Sequence, residues 1–237
     1  TSFPPAHSAP SSKARANFEE IETETKEGFV LKGTLYLAFT PNKPLVVMLH
    51  SFAMKSSDWG DLPKKVRDLG YNVLTLDLKG HGKSVYNTSL KYQSYLYFKP
   101  QDWRKIPLEA LEVIDDIRQN YPRIDCTKIS FIGADLGANA AVLTGVRLKN
   151  PPEKLVLISP YVNFKSLYIP VVISSYTKSS MMVIVSDADT NSRAQADMLS
   201  RFIQTPLTKK VYPTGGSGML LLKRNAGSED EILNFLR

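Results

Sequence analysis

The stretch that decides the fold is residues 128–148, KISFIGADLGANAAVLTGVRL. It opens on a β-branched and aromatic run, Ile129-Ser130-Phe131-Ile132, which predicts a strand. It turns at Gly133-Ala134-Asp135-Leu136-Gly137 and continues as an alanine-rich segment of high helix propensity. A strand, a tight turn flanked by small residues and a helix form the context of a nucleophile elbow, G-x-S-x-G. The glycines are required because the central residue sits in strained backbone with neighbours packed close on it. Here the central residue is Asp135, not Ser.

Outward from this turn, the chain alternates short apolar runs with amphipathic segments. Residues 18–27 and 29–38, joined at Gly28, read as an antiparallel hairpin. Leu45-Val46-Val47-Met48-Leu49 is a continuous apolar run, as in a strand buried on both faces. Residues 58–69 have helical spacing and stop at Gly70; 71–76 is a second buried strand. Residues 104–120 predict a helix with Leu108, Leu111, Ile114 and Ile117 on one stripe. Further strands are expected at 154–159, 181–185 and 209–212, and helices at 192–204 and 228–237. The segments 85–103 and 160–180 show no clear period. This alternation predicts one α/β domain, 18–237, with a mostly parallel sheet of about eight strands and helices on both faces. Ligand sites in such sheets lie beyond the carboxyl ends of the strands. The residues expected there are His50-Ser51-Phe52, Asp77 to Ser84, Asp135, Ser159, Asp189 and Ser217.

The chain has 237 residues, 43% hydrophobic and 22% charged, as in an ordinary globular domain. Its net charge of +7 comes from small basic groups without interleaved aromatics, which reads as a solvated surface rather than a nucleic-acid patch. The one cysteine, Cys126, excludes an internal disulfide and a cysteine-based zinc site, and reads as a small buried hydrophobe. No run is apolar enough to span a membrane, and no metal-ligand spacing or cofactor motif stands out. Residues 1–17, rich in Pro, Ser and Ala, read as a disordered leader or tether. Such a segment follows a removed signal or lipid anchor, or marks a trimmed chain, so export and a cytoplasmic location both stay open.

The motif VMLHSFAMKSSDWGDLPKKVRDLGYNVLTLDLKGHGKS, with Gly133 to Gly137, resembles the α/β-hydrolase-fold superfamily. The resemblance covers most of the chain from Leu45 onward and implies that fold, with a minimal cap or none. It places Asp135 at the nucleophile position and Asp189, rather than Asp187, at the acid position. It places Ser217, in Gly216-Ser217-Gly218, where the family's catalytic His stands. It gives the oxyanion hole to the amides of Phe52 and Leu136, and structural loop roles to His50 and His81. The histidines are His7, His50 and His81; none follows His81.

Without a hydroxyl at the turn and an imidazole beside it, the acyl-enzyme route of a serine hydrolase is closed. The helix behind Asp135 is expected to keep it ionised, while Asp189 nearby disfavours joint ionisation. The expectation is a degenerate triad, a pseudoenzyme binding a small neutral or cationic ligand or a protein partner. The alternative is an aspartate-nucleophile hydrolase, like epoxide hydrolases and dehalogenases of this fold, with an unrecognised base such as His50.

Overall fold

The computed structural model describes residues 17–237, so the expected leader, apart from Asn17, lies outside the described residues. The hairpin forms as β1 (Phe18–Glu24) and β2 (Val30–Tyr36), paired antiparallel in full register. It joins β3 (Lys43–Leu49), β4 (Asn72–Leu76), β5 (Ile124–Ala134) and β6 (Lys154–Ile158). A small separate ribbon, β7 (Asn163–Phe164) and β8 (Leu167–Tyr168), precedes β9 (Ser180–Ser186) and β10 (Leu207–Tyr212). The main sheet has eight strands in the order β1-β2-β4-β3-β5-β6-β9-β10. It is parallel from β4 to β10; the β1–β2 and β2–β4 pairs are antiparallel, so β2 alone runs against the rest.

Both faces are covered, which is why the central strands are apolar throughout rather than alternating. On one face, Leu45, Val47 and Leu49 pack with residues of α2 (Pro100–Asn120), α3 (Leu136–Gly145) and α5 (Thr190–Ser200). On the other, Val46 and Met48 pack with α1 (Leu62–Asp68), α6 (Gly218–Arg224) and α7 (Ser228–Leu236). A short α4 (Pro170–Ile173) lies between the ribbon and β9.

Three expectations need correction. The helix expected over 58–69 is a 3-10 turn, Ser56–Trp59, followed by α1, because Gly60 at φ 62° breaks the ladder between them. The helix α2 begins at Pro100, a residue suited to a first turn, and the Asp102 carboxylate accepts the Lys99 amide at 2.8 Å. Its buried stripe runs through Trp103, Ile106, Ala110, Val113, Ile114 and Ile117, while Leu108 is exposed. Leu108 is six residues from Ile114, about one and two-thirds turns, and therefore falls on the far side. Finally, α6 is a helix that the sequence reading does not include, and its Met219, Leu221 and Leu222 are buried.

Candidate functional site

The chain leaves β3 toward β4 on one side and later reaches β5 on the other, so the carboxyl ends of β3 and β5 flank a reversal point. Brought together there are His50-Ser51-Phe52 after β3 and Asp135 after β5. Such a reversal opens a crevice above the strand ends.

Asp135 occupies the turn in a strained conformation, φ 46° and ψ −108°. The turn closes because its amide donates to Ile158 O at 2.9 Å and its carbonyl accepts from Ala138 and Asn139 at 3.1 and 3.2 Å. Gly133 and Gly137 permit the close approach: a Cβ on either would strike backbone, that of Gly137 striking the Leu49 carbonyl. The strain is thus held by packing on both sides, as in a reactive turn.

The Asp135 carboxyl is 7% exposed, and its Oδ1 has no hydrogen-bond partner. The hydroxyls of Ser51 and Ser217 face it. Burial pushes its pKa up to about 7, the charge of Asp189 pushes the same way, and the two hydroxyls pull back. Of the two opposing influences expected on this carboxyl, the one that disfavours ionisation prevails. Desolvation outweighs the helix terminus, and near neutral pH the group stands between its two forms.

The loop carrying Ser217 is fastened over this carboxyl. Gly218 N–H donates to Ser159 Oγ and Met219 N–H to Ser51 Oγ, each at 2.9 Å. Ser159 and Ser51 are fully buried strand-end hydroxyls, so the loop is held across β6 and β3 at once. Asp189, half-buried at the end of β9, accepts the Ser192 amide at 3.1 Å and caps α5. It acts on Asp135 through space. Asp187 is exposed and pairs with Arg193 at 2.8 Å, outside the site.

No described imidazole bonds to Asp135. His50 accepts Leu78 N–H at Nε2 (3.0 Å), which leaves Nδ1 as the donor to Ser51 O (2.7 Å). Both nitrogens are committed to backbone, and burial holds its pKa below the ordinary value. His81 bonds Lys79 O through Nδ1 at 2.9 Å and stacks flat on Tyr95, with centroids 4.3 Å apart. Burial lowers its pKa to about 4. His7 lies outside the described residues.

Around the carboxyl is an open cleft of about 380 Å³, walled by Phe52, Met54, Tyr161, Phe164 and Leu220. Phe52 contributes a wall, and Leu136 opens α3, where first-turn amides have no intrahelical partner. A cleft of about 450 Å³ at the other end of the sheet, around Phe39 and Tyr121, lies away from these groups. The cap is reduced to the ribbon β7–β8, whose two-residue turn, Lys165-Ser166, has φ 50° and 70°. Asn139 of α3 ties it down, donating to Tyr161 O and Leu167 O at 2.8 and 2.7 Å and accepting Tyr161 N–H at 3.1 Å. From the segment 85–103, Tyr95 packs edgewise and Trp103 tilted on Phe52, and both back the wall.

Ser51 and Ser159 stand at the strand ends where they were expected, whereas Tyr161, Phe164 and Asn139 were not among the expected site residues. Nothing in the local sequence of an alanine-rich helix marks Asn139 as facing the ribbon. Among the described residues no three metal-ligating side chains converge.

A family model described as serine aminopeptidase, S33, matches residues 40–209. The chain belongs to the serine aminopeptidase S33 family. This S33-family chain is 30% identical over 135 residues to lysophosphatidylserine lipase ABHD12 of Rattus norvegicus, a match covering 54% of the chain. It spans 29% of that relative's length. Among solved structures it is similar to acetyl xylan esterase from Paenibacillus sp. R4, with TM-score 0.74, 10% identity, and 96% and 86% of the two chains covered. It is also similar to dienelactone hydrolase from Anabaena variabilis, with TM-score 0.69, 14% identity, and 93% and 95% covered. These likenesses establish the α/β-hydrolase fold.

Proposed function

We propose that this S33-family chain carries a degenerate triad, does not act as a serine hydrolase, and binds a small neutral or cationic ligand in the cleft above Asp135. One observation carries the reading: the turn carboxyl faces hydroxyls, and both imidazoles among the described residues are held elsewhere by backbone bonds. A serine hydrolase needs an alcohol at the turn and a base to take its proton. Ser217 stands where the family's histidine would, and a hydroxyl does not serve as a base near neutral pH. A half-protonated, desolvated carboxyl can instead donate to or accept from a neutral polar group, or pair with a cation. A protein partner reaching into the cleft with such a group is the same chemistry on a larger body.

The test is a panel of chromogenic esters, lactones and amides with the wild type and Asp135→Ala. The expected result is no turnover above background in either protein. Turnover that Asp135→Ala abolishes would overturn the reading.

A second reading has specific support in the carboxylate at the nucleophile turn and in a lipase among the relatives. The ionised Asp135 would attack carbon and form an ester, breaking the epoxide C–O bond, whose oxygen takes a proton from water, or expelling the halide as its anion. Without a base to hydrolyse it, that ester would persist. Intact-mass measurement after incubation with such compounds checks this; an unmodified protein and no product exclude it.

A further inference from the structure

The charge of the ligand can be read from what surrounds the cleft. No Lys, Arg or His is among the residues that line it. Its wall is aromatic, with Phe164 centred 5.9 Å from Phe52 and 5.0 Å from Tyr161. Its floor is a nine-tenths-buried carboxyl with an unpartnered oxygen, and Asp189 adds a second negative charge at the same strand ends. The two carboxylates also face the Tyr161 hydroxyl, whose pKa is raised to about 12 by burial first and then by Asp189 and Asp135. An anion would meet no positive group here. A metal ion would lack ligands, since no three suitable side chains converge among the described residues.

One cation already rests on a ring of this wall. Lys165, at the exposed ribbon turn, places its Nζ 4.7 Å from the centre of the Phe52 ring and 5.7 Å from that of Trp103. An exposed lysine loses little by pointing to water, so its seat on the ring reports an attractive face. The same Phe52 ring forms the wall of the cleft.

We propose that the cleft is an organic-ammonium site, in which a ligand's alkylammonium or quaternary ammonium head packs on Phe52, Tyr161 and Phe164. There it supplies the counter-charge that Asp135 lacks, with Lys165 as the tethered competitor for the Phe52 ring. This rests on the binding reading above and narrows it to one ligand class. Aromatic faces and a nearby carboxylate are what recognise such heads. A cation favours the ionised carboxyl, so binding releases a proton below about pH 7 and tightens as pH rises through that value. The other charged or titratable groups facing Asp135 are Asp189, from the end of β9, and Tyr161, from the loop after β6; Lys165 approaches from the ribbon. Burial brings the Asp135 pKa into the neutral range.

The experiment titrates choline, tetramethylammonium and the uncharged choline isostere 3,3-dimethyl-1-butanol by calorimetry at pH 6 and pH 8. Wild type, Lys165→Gln and Asp135→Asn are compared, with circular dichroism to confirm folding. The expected result is choline binding at least about tenfold tighter than the isostere at pH 8, with severalfold loss at pH 6. Lys165→Gln should tighten choline severalfold, and Asp135→Asn should remove both the preference for charge and the pH dependence. Should Asp135→Asn misfold, Phe52→Leu replaces it, and loss of the charge preference is again expected. Equal binding of choline and its isostere overturns the ammonium assignment while leaving the small-ligand reading intact. Binding of none of the three by wild type or Lys165→Gln overturns the assignment, and the ester panel then judges the broader reading separately.

Discussion

Gly218 packs against Asp135 so closely that a Cβ at position 218 would overlap both Oδ2 of Asp135 and Oγ of Ser51. Its φ of 55° also lies in the left-handed region. The atoms met are the ends of two short side chains, and the Ser51 hydroxyl is held by the Met219 amide. Gly218→Ala should therefore destabilise the fold by roughly 2–4 kcal/mol, from backbone strain and overpacking together. Urea unfolding checks this. A change under about 0.5 kcal/mol would mean the 217–219 loop lies farther from the turn than described.

The raised pKa of Asp135 makes a signed prediction. Its folded value is about 7 against an ordinary 3.8, so between those values the folded state holds more protons than the unfolded state. Stability from this group is then present at low pH and is lost as pH rises toward 7. His81 runs the other way: its folded pKa of about 4 lies below 6.5, so stability grows as pH rises from 4 to 6.5. In the wild type the two slopes oppose each other over much of the same range. Asp135→Asn removes one of them. Its stability at pH 8 relative to pH 5 should exceed that of wild type by about 2–3 kcal/mol, near 1.4 kcal/mol per pH unit. Denaturant unfolding of both proteins at the two pH values measures this double difference, and equal pH dependence would refute the assigned pKa.

A second buried charge, remote in chemistry, is the Lys79–Glu109 pair, with both residues about 5% exposed. It joins the loop after β4 to α2, and the ammonium also lies 4.8 Å from the Phe29 ring centre. Burial keeps the Glu109 pKa above the ordinary value despite its partner, and Oε2 has no further donor. Lys79→Met should cost roughly 3–5 kcal/mol by leaving that carboxylate unpaired. Adding Glu109→Leu should restore most of the loss. A double variant as unstable as the single one would show that packing on Phe29, not charge, is what Lys79 supplies.

These contacts mark what was legible in the sequence and what was not. The apolar runs at 45–49 and 154–158 announced a sheet covered on both faces, and the glycines at 133 and 137 announced the turn. Both signals come from local backbone requirements, which a single sequence displays. Asn139 sits in an alanine-rich helix and only the fold shows that it faces the ribbon. Leu108 was misassigned because four aliphatic residues in one helix suggested a stripe that the helical period does not permit. The histidines could be counted from the sequence, but that both nitrogens of His50 are engaged required coordinates. The raised pKa of Asp135 depends on burial, which competes with the helix terminus and wins.

Asn139 offers a direct test of how the reduced cap is held. Its side chain makes three hydrogen bonds to the backbone of Tyr161 and Leu167, and it is fully buried. Asn139→Ala would leave two carbonyls and an amide without partners, at about 2–4 kcal/mol. Hydrogen exchange should quicken in residues 161–168 more than in β5 or β6. Uniform quickening across the sheet would instead mean that the ribbon and the core open as one unit.

A serine and a histidine can be installed together at the turn. The Ser217 hydroxyl already faces residue 135, and Asp189 lies at the end of β9 within electrostatic reach. Asp135→Ser with Ser217→His would place an alcohol in the strained turn and an imidazole beside it. Asp189 would then orient the ring, although its carboxylate also caps α5 through Ser192. Because that acid is shared, activity should be weak, roughly 10²–10³-fold above background on an activated ester. The rate should rise with pH through an imidazole titration, and neither single variant should show it. Asp189→Asn in the double variant should lower the rate further. A folded double variant with no ester hydrolysis would show that position 217 does not present an imidazole to the turn, and the site would have to be redrawn around a different loop.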